Sequence, residues 1–194
     1  MNPSSSLVPN FLAVGFACLA TLAAAAAEPA LLDDFADAAR NGRGAPRLVI
    51  DDKAMGSQSH ATQRCENGVL LVEGELVSGR GLPAFISVPL LLAADFQPRD
   101  VSGYEGVRLR VKLIKGAISV QVSTADIQNF DFHAAPVVAP RGEFVEVRVP
   151  FQTMKRAWSE QTAINLKLAT GVNLVAFSLA RDTFSYEVDE IGFY

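Results

Sequence analysis

Few residues of this sequence have the types and spacing of a catalytic site. The chain has two histidines, His60 and His133, and neither belongs to a His-x-x-x-His or Gly-x-Ser-x-Gly motif. His60 follows Ser57 and Ser59, and a serine nucleophile needs a base within hydrogen-bonding distance. One hypothesis is therefore a hydrolase that uses the region from Ser57 to His60. The alternative is a solvated loop histidine at position 60 and a packing or rim histidine at position 133.

Carboxylates occur in pairs near both ends of the predicted domain. A hard cation such as calcium is bound by several oxygen atoms from converging loops, and these pairs approach one another if the first and last strands are neighbours. The candidate metal ligands are Asp33, Asp34, Asp189 and Glu190. The same carboxylates are also explained by solvated acidic turns and side-chain caps. Paired carboxylates are a second way in which a hydrolase could be built.

Another set of polar residues has the chemistry of sugar binding. Arg110, Gln121 and Arg148 are predicted on one polar sheet face, where they would bind hydroxyl groups. Trp158 lies in the polar segment 156–160, where an exposed tryptophan would anchor a sugar or a protein. The alternatives are a tryptophan that fills a gap under its loop and a charged face that is only solvated. Phosphate or dinucleotide binding has no support, because no glycine-rich loop precedes a helix.

These residues are positioned by strands. In the segment 107–113 valine and leucine alternate with Arg108, Arg110 and Lys112, a spacing of two that is typical of a half-buried strand. The segment 118–123 repeats the pattern after a tight turn at Lys115 and Gly116. Further strands are predicted at 48–51, 69–74, 84–88, 132–138, 145–149, 174–180 and 184–193, with helical turns near 90–95, 151–158 and 161–171. About nine short strands predict an all-β antiparallel sandwich.

The composition is that of a globular domain. The chain has 194 residues, of which 49% are hydrophobic and 20% charged, and its net charge is −4. No basic block indicates nucleic-acid binding. Without an internal repeat or linker, residues 28–194 are predicted to form a single domain, which we expect to be monomeric.

The N-terminal segment 1–27 is predicted to be a signal peptide. Residues 11–27 are apolar except for Thr21, and the run ends in small residues before Glu28, which suits cleavage after Ala27. A basic residue is missing before Arg40, so an uncleaved anchor is the alternative. The prediction places the mature protein in the periplasm or outside the cell. Cys65 is then its only cysteine and is predicted to be a packed thiol.

Several motifs occur in a specific order along the chain. DDKAMGSQS at 51–59 resembles Asp-x-Val-Met-Gly-Gly-x-Ser, and residues 74–76 and 79–86 are similar to Phe-x-Gly-x-Leu and Gly-Gly-Phe-Ala-Ser. DVSGYEGVRLRV at 100–111 resembles Asp-Leu-Ser-x-Tyr-x-Gly-x-x-Leu-Arg-Val. Residues 142–151 resemble Gly-Glu-Trp, a strand, then Pro-Phe, with Phe144 in place of tryptophan. The order is similar to that of the complex I intermediate-associated protein 30 family.

The resemblance implies a jelly roll of the galactose-binding-domain-like type, which agrees with the strand count and allows a structural calcium. Members of this family are chaperones that assemble respiratory complex I, which implies a binding role. Met55 is expected to fill the core, and Gly56 to adopt a backbone conformation that a Cβ would strain. The residues expected to be structural are Asp51, Met55, Gly56, Ser59, Gly74, Phe85, Asp100, Tyr104, Gly106, Pro150 and Phe151.

The main functional prediction is a non-catalytic binding or assembly-factor module that acts outside the cytoplasm, without a cofactor. Its partner is a protein or a glycan, and the sequence does not distinguish them. The alternative is the hydrolase described above. The Ser57 turn is interpreted as a structural element of the fold, in which replacement of Ser59 or His60 by alanine is expected to have little effect on folding.

Overall fold

Alternating apolar side chains give each strand one buried side, and the chain buries these sides between two antiparallel sheets. The structure is a computed structural model that describes residues 30–79 and 83–194. The strands are β1 (Leu31–Asp33), β2 (Ile50–Asp51), β3 (His60–Glu66), β4 (Val69–Leu76), β5 (Ala84–Leu91), β6 (Gly106–Lys115), β7 (Ile118–Thr124), β8 (His133–Pro136), β9 (Val145–Pro150), β10 (Ala169–Ser178) and β11 (Asp182–Phe193). Short 3₁₀ turns span Lys53–Met55, Phe151–Thr153 and Leu166–Leu168.

The two sheets differ in size and in the parts of the chain that they use. The larger sheet has the order β3-β4-β11-β6-β9, with β1 also paired to β11. The smaller sheet has the order β2-β5-β10-β7-β8. Leu31 of β1 lies opposite Gly192 of β11, so the first and last strands are neighbours, as the sequence suggested. Both sheets are antiparallel throughout, which confirms the predicted all-β sandwich.

The core lies between the sheets and is made of alternate residues of each strand. Leu109 and Val111 of β6 face Val120 and Val122 of β7 and Leu174 of β10 across it, and all five are almost inaccessible to solvent. Because consecutive side chains of a strand point to opposite faces, the residues between them point outward. This alternation decides which side chains a ligand can reach.

Two strands escaped sequence prediction, so residues 30–79 and 83–194 contain eleven strands where about nine were expected. β3 has Ala61, Gln63 and Cys65 on its inward side, which is too weakly apolar to show a period of two. β1 has only three residues. β5 continues to Leu91 through Pro89, so the predicted helical turn at 90–95 starts inside a strand.

The tight turn predicted at Lys115 and Gly116 does not join β6 and β7 into a hairpin. The two strands belong to different sheets, and the chain crosses from one sheet to the other at Gly116. Gly116 has a φ of 70°, and a Cβ there would lie 2.8 Å from the Cβ of Phe184, so glycine is required for both reasons. A hairpin and a crossing bury the same alternate residues, which is why the apolar pattern did not distinguish them.

The predicted signal segment 1–27 lies outside the described residues. Within residues 30–79 and 83–194, no helix has the length and apolar character needed to cross a membrane.

Candidate functional site

The proposed serine–histidine pair does not form in the structure. His60 begins β3 and its side chain is exposed, whereas Ser59, the residue before it, is fully buried. The Ser57 hydroxyl donates a hydrogen bond to the Val77 carbonyl and lies 3.2 Å from the Ser59 hydroxyl. These contacts use Ser57 and Ser59 to attach the turn to the end of β4, which supports the structural interpretation of this region.

The motif turn itself differs from expectation at two residues. Gly56 has a φ of 86°, the left-handed conformation that was expected there. Met55 does not fill the core, because it is 50% exposed on the turn Lys53–Met55. Asp51, which was expected to be structural, lies near the surface, where its carboxylate accepts a bond from the Lys53 ammonium.

The buried anchor is Asp52, which the sequence reasoning missed. Its Oδ2 accepts hydrogen bonds from the Ser59 hydroxyl at 2.8 Å and from the Phe85 N–H at 2.9 Å. The Ser59 hydroxyl oxygen in turn accepts the Val77 N–H at 3.0 Å. Asp52 and Ser59 therefore connect the motif turn to β5 and to the end of β4. Counting the motif's own spacing back from Ser59 would have found Asp52.

The remaining motif residues have structural roles. Some pack aromatic rings against Phe193 of β11, and two are glycines at places where another strand passes too near for a side chain. Tyr104 stacks on Phe193 with ring centroids 5.2 Å apart, and the ring of Phe151 lies 6.3 Å from that of Phe193. A Cβ at Gly106 would lie 2.4 Å from the Val149 carbonyl oxygen, and one at Gly74 would lie 2.3 Å from that of His60. Pro150 ends β9, and Asp100 accepts two hydrogen bonds from Ser102.

Each candidate metal ligand already forms an ion pair with an arginine or accepts a hydrogen bond from a backbone N–H group. Asp33 is buried and forms a two-bond pair with Arg47. Asp189 pairs with Arg110, and Glu190 pairs with Arg108, while Asp34 accepts the Ala36 N–H. In the part of the chain that the structure describes, no group of three or more His, Cys, Asp or Glu residues is arranged to hold a metal ion.

The outward side of the larger sheet is a face of ion pairs between neighbouring strands. Lys112 of β6 donates to both oxygens of Glu187 of β11 at 3.2 Å, beside the Arg110–Asp189 pair on the same strands. Burial raises the pKa of Asp189 despite the Arg110 guanidinium beside it. Arg148 on β9 pairs with Glu146 and lies over the ring of Tyr194. Each of these charges is already matched within the protein.

Gln121 lies on the other sheet, so the predicted grouping with Arg110 and Arg148 is wrong. β7 belongs to the smaller sheet, and Val120 and Val122 point into the core, which turns Gln121 outward. β5, β7 and β10 contain no Asp, Glu, Lys or Arg. We define the neutral face as the outward residues of this sheet: Ile50, Phe85, Ser87, Pro89, Leu91, Ser119, Gln121, Ser123, Ala134, Pro136, Gly171, Asn173, Val175 and Phe177.

The middle of the neutral face presents side-chain amides. Asn173 of β10 lies directly opposite Gln121 of β7, and neither amide hydrogen-bonds to another described residue. Ser119 and Ser123, also on β7, bond weakly to carbonyls of β10 at 3.4 and 3.2 Å. Asn173 is 7% exposed and Gln121 is half-buried, whereas Phe177 at one end is 53% exposed. The amides are therefore available only to a ligand that lies against the sheet.

Beside β8, a loop carries Trp158 at its tip and is held by a buried carboxylate. The Asp131 oxygens accept the N–H groups of Ala157, Trp158 and Ser159 at 2.7, 3.1 and 2.6 Å. Burial raises the Asp131 pKa, but these hydrogen bonds outweigh it, so the pKa lies below its ordinary value. Trp158 is 70% exposed, so of the two sequence interpretations the exposed tryptophan is correct.

His133 and Cys65 have structural surroundings. His133 is buried, and its Nε2 lies 2.7 Å from the Thr162 carbonyl oxygen, which makes it a packing residue as predicted. It lines an open cleft of about 400 Å³ together with Gln152, Lys155, Gln161 and apolar residues. Cys65 packs against the core, and burial raises the pKa of its thiol above the ordinary value, which disfavours the reactive thiolate.

Replacement of Ser59 by alanine is expected to lower the free energy of unfolding by about 1–3 kcal/mol, because Asp52 loses a donor and the Val77 N–H loses its acceptor in a buried place. This reverses the expectation from sequence. Chemical denaturation of the Ser59→Ala protein measures it. His60→Ala is the neighbouring control, and we expect a change within about 0.5 kcal/mol because this side chain is exposed. Equal effects of the two variants would contradict the role given to Ser59.

The hydrogen bonds of the Asp131 carboxylate to the N–H groups of residues 157–159, which we call the Asp131 clamp, predict a dependence of stability on pH. Because the folded pKa of Asp131 lies below the unfolded value of about 4, the carboxylate stabilises the fold above that pH, and the contribution is lost as pH falls through the folded pKa. The free energy of unfolding of the wild type should therefore exceed that of Asp131→Asn at pH 7, and the difference should shrink by pH 3. A difference that stays constant across this range would disprove the clamp.

Comparison with known proteins places the chain by sequence and by fold. The family model for complex I intermediate-associated protein 30 matches residues 44–187. A search of curated protein sequences found no match.

Several solved structures share the fold at low sequence identity. A family 11 carbohydrate-binding module of the cellulosomal cellulase Lic26A-Cel5E of Clostridium thermocellum superposes with a TM-score of 0.63 at 13% identity, over 87% of this chain and 95% of that one. The Clostridium thermocellum module in complex with a β-1,3-1,4-mixed-linked tetrasaccharide gives 0.62 at 13% identity, over 87% and 96%.

An agarase, AgWH50C, gives a TM-score of 0.54 at 11% identity, over 84% of this chain but only 26% of the enzyme. At these identities the likeness establishes the fold alone, a galactose-binding-domain-like β-sandwich. The family match spans most of the chain and agrees with the ordered motifs, with the close backbone approach at Gly74 and with the buried positions of Gly106 and Phe151. The chain belongs to the complex I intermediate-associated protein 30 family.

Proposed function

We propose that this protein is a non-catalytic module that binds a neutral glycan on the neutral face of its smaller sheet. The observation that carries the proposal is the difference between the two outward faces. On the larger sheet, lysines, arginines and carboxylates are paired with one another. On the smaller sheet, β5, β7 and β10 have no charged residue, and the amides of Gln121 and Asn173 face outward.

A glycan matches the chemistry of this face better than a charged ligand does. Amide groups donate and accept hydrogen bonds at once, which suits hydroxyl groups that also do both. A charged ligand pressed against this sheet would lose hydration without meeting an opposite charge. The apolar side chains Phe85, Val175 and Phe177 lie together at one end of the same face, so the face also suits the C–H surfaces of sugar rings.

Fold-level likeness adds support to the choice of ligand. Two of the similar solved structures are described as carbohydrate-binding modules, one of them with a bound tetrasaccharide. The hydrolase alternative has lost its geometric basis, because Ser57 and His60 do not meet and most of the paired carboxylates are bound by arginines. A glycan is therefore proposed as the ligand, in preference to a protein partner of an assembly factor.

We also propose that the module acts outside the cytoplasm, after removal of residues 1–27. The support is the sequence pattern: an apolar run that ends in small residues before Glu28. The expected result is that protein recovered from the periplasm or the medium begins at Glu28, as determined by N-terminal sequencing. Recovery of the mature protein from the cytoplasm with Met1 intact would contradict this proposal.

The glycan proposal predicts retardation of the protein in gels that contain a neutral polysaccharide. Probes are mixed-linked β-1,3-1,4-glucan, cello-oligosaccharide conjugates and agarose fragments, with polygalacturonate as an anionic comparison. Gln121→Ala and Asn173→Ala should each weaken binding about tenfold, because each removes a hydrogen-bonding group from the contact. Since no ion pair is involved, the affinity should not change between low and high salt.

Arg148→Ala, on the opposite face, is the matched control and should bind like the wild type. The proposal is wrong if none of the neutral polysaccharides retards the protein, or if Arg148→Ala weakens binding as much as Gln121→Ala does.

A further inference from the structure

We propose that Phe130 and Trp158 extend the glycan site beyond the edge of the smaller sheet, as an aromatic platform on which sugar rings stack. This inference rests on the proposed glycan function and adds a second, separable part to the site. Phe130 is 77% exposed and Trp158 is 70% exposed. Aromatic side chains of this size are normally at least partly covered, so their exposure requires a reason.

Hydrogen bonds fix the chain beside both aromatic residues, and the backbone of Phe130 is strained. Asp131, the residue after Phe130, is buried and binds three consecutive N–H groups around Trp158. Asn129, the residue before Phe130, donates to the Ser159 hydroxyl at 2.9 Å. Phe130 has a φ of 60°, a conformation that strains a residue with a Cβ and that persists where the surroundings enforce it.

Arg156 adds a further connection between the two loops. Its Nε donates to the Asp131 carbonyl at 3.0 Å, and its Nη2 donates to the Asn129 side chain at 3.2 Å. The segments that carry Phe130 and Trp158 are therefore one hydrogen-bonded unit. Loops whose backbone is fixed in this way lose little conformational freedom when a ligand binds, which favours affinity.

A row of residues that lie opposite one another on neighbouring strands connects the amides of the neutral face with the loop that carries Trp158. Pro89, Asn173, Gln121 and Ala134 lie opposite one another on β5, β10, β7 and β8. Ala134 pairs in turn with Lys155, through N–H to carbonyl bonds of 2.9 Å in both directions. Strands are about 4.8 Å apart, so the row from Asn173 to Lys155 is about 14 Å long, and it ends three residues before Trp158.

The surroundings of the platform are polar and suit a sugar better than an apolar peptide. The polar residues Asn129, Ser159 and Gln161 belong to the hydrogen-bonded unit that carries the two aromatic residues. The open cleft of about 400 Å³ shares Lys155 and Gln161 with the loop and is lined by Gln152 and Thr162. The register row and the cleft meet at Lys155, and the cleft presents apolar residues such as Phe151 and Leu166 beside its hydroxyl and amide groups.

Trp158 is the single tryptophan in the sequence, so intrinsic tryptophan fluorescence reports on the platform alone. The experiment titrates the wild-type protein with whichever neutral polysaccharide of the panel retards it and follows Trp158 emission and its quenching by acrylamide. We expect a blue shift and protection from the quencher, because a stacked sugar removes the indole ring from water. Binding of Phe130→Ala and Trp158→Ala is measured in parallel by gel retardation.

Each platform variant should bind about tenfold more weakly than the wild type, as is typical for an aromatic anchor. Phe96→Ala is the matched control, because Phe96 is 59% exposed, has a φ of 61° and lies outside the loop unit. Its affinity should be unchanged. Circular dichroism and the denaturation midpoint of each variant show whether a weaker affinity comes from unfolding.

The outcomes distinguish the two proposals. Retention in the gel with unchanged Trp158 emission and wild-type affinity of both platform variants would overturn the platform and leave the neutral face as the site. Absence of retention on any neutral polysaccharide would overturn the glycan function itself. Capture of an envelope protein that depends on Trp158, without a response to glycans, would overturn a sugar as the ligand of the platform.

Discussion

The shared core between the two sheets determines what this chain can present to a ligand. Every strand has two sides, and the inward side is committed to the core through residues such as Leu109, Val120 and Leu174. Only the outward sides and the loops remain for contact with other molecules. The crossing at Gly116 sends β6 and β7 into different sheets, so the charged strand and the uncharged strand that follows it face opposite directions. Eight of the ten connections between the described strands cross between the sheets in this way, so the charged strands collect in one sheet and the uncharged strands in the other.

Buried carboxylates fix the loops that the core does not reach. Asp33, Asp52 and Asp131 are each about 1% exposed, and an ionised carboxylate without partners in such a place costs several kcal/mol. Arg47 compensates the first, and backbone N–H groups of the tryptophan loop compensate the third. For the second, the Ser59 hydroxyl and the Phe85 N–H both bind Oδ2, while Oδ1 has no hydrogen-bond partner among the described residues. A loop that moved away would leave its carboxylate unsatisfied, so each loop is tied to the sheet beside it.

The sequence predicted the fold better than the surface. Regular alternation located β6, β7, β9 and β11 closely, because their inward residues are large and apolar. It missed β3, whose inward residues include Gln63. It also could not assign strands to sheets, since a hairpin and a crossing give the same pattern, and for this reason Gln121 was grouped with Arg110 and Arg148.

Contacts between residues far apart in the chain could not be predicted from the sequence pattern. Asp131 lies more than twenty residues before the loop that it holds, and neither its hydrogen bonds nor the exposure of Phe130 follows from local pattern. Met55 was expected in the core because methionine is apolar, yet the left-handed Gly56 beside it ends a surface turn. One signal was present and unused: β5, β7 and β10 have no charged residue, which distinguishes strands that line one sheet from the charged strands of the other.

The pairing of charges on the larger sheet also bears on selectivity. Neighbouring strands place opposite charges beside each other, as in Lys112 with Glu187, so their fields cancel over short distances and are further screened by salt. That face therefore attracts a charged partner only weakly. On the neutral face, in contrast, unpaired amides offer hydrogen bonds while an ionic ligand would be desolvated without compensation. The two faces thus disfavour charged ligands for different reasons, which supports the proposal of a polar, uncharged ligand that lies across several strands.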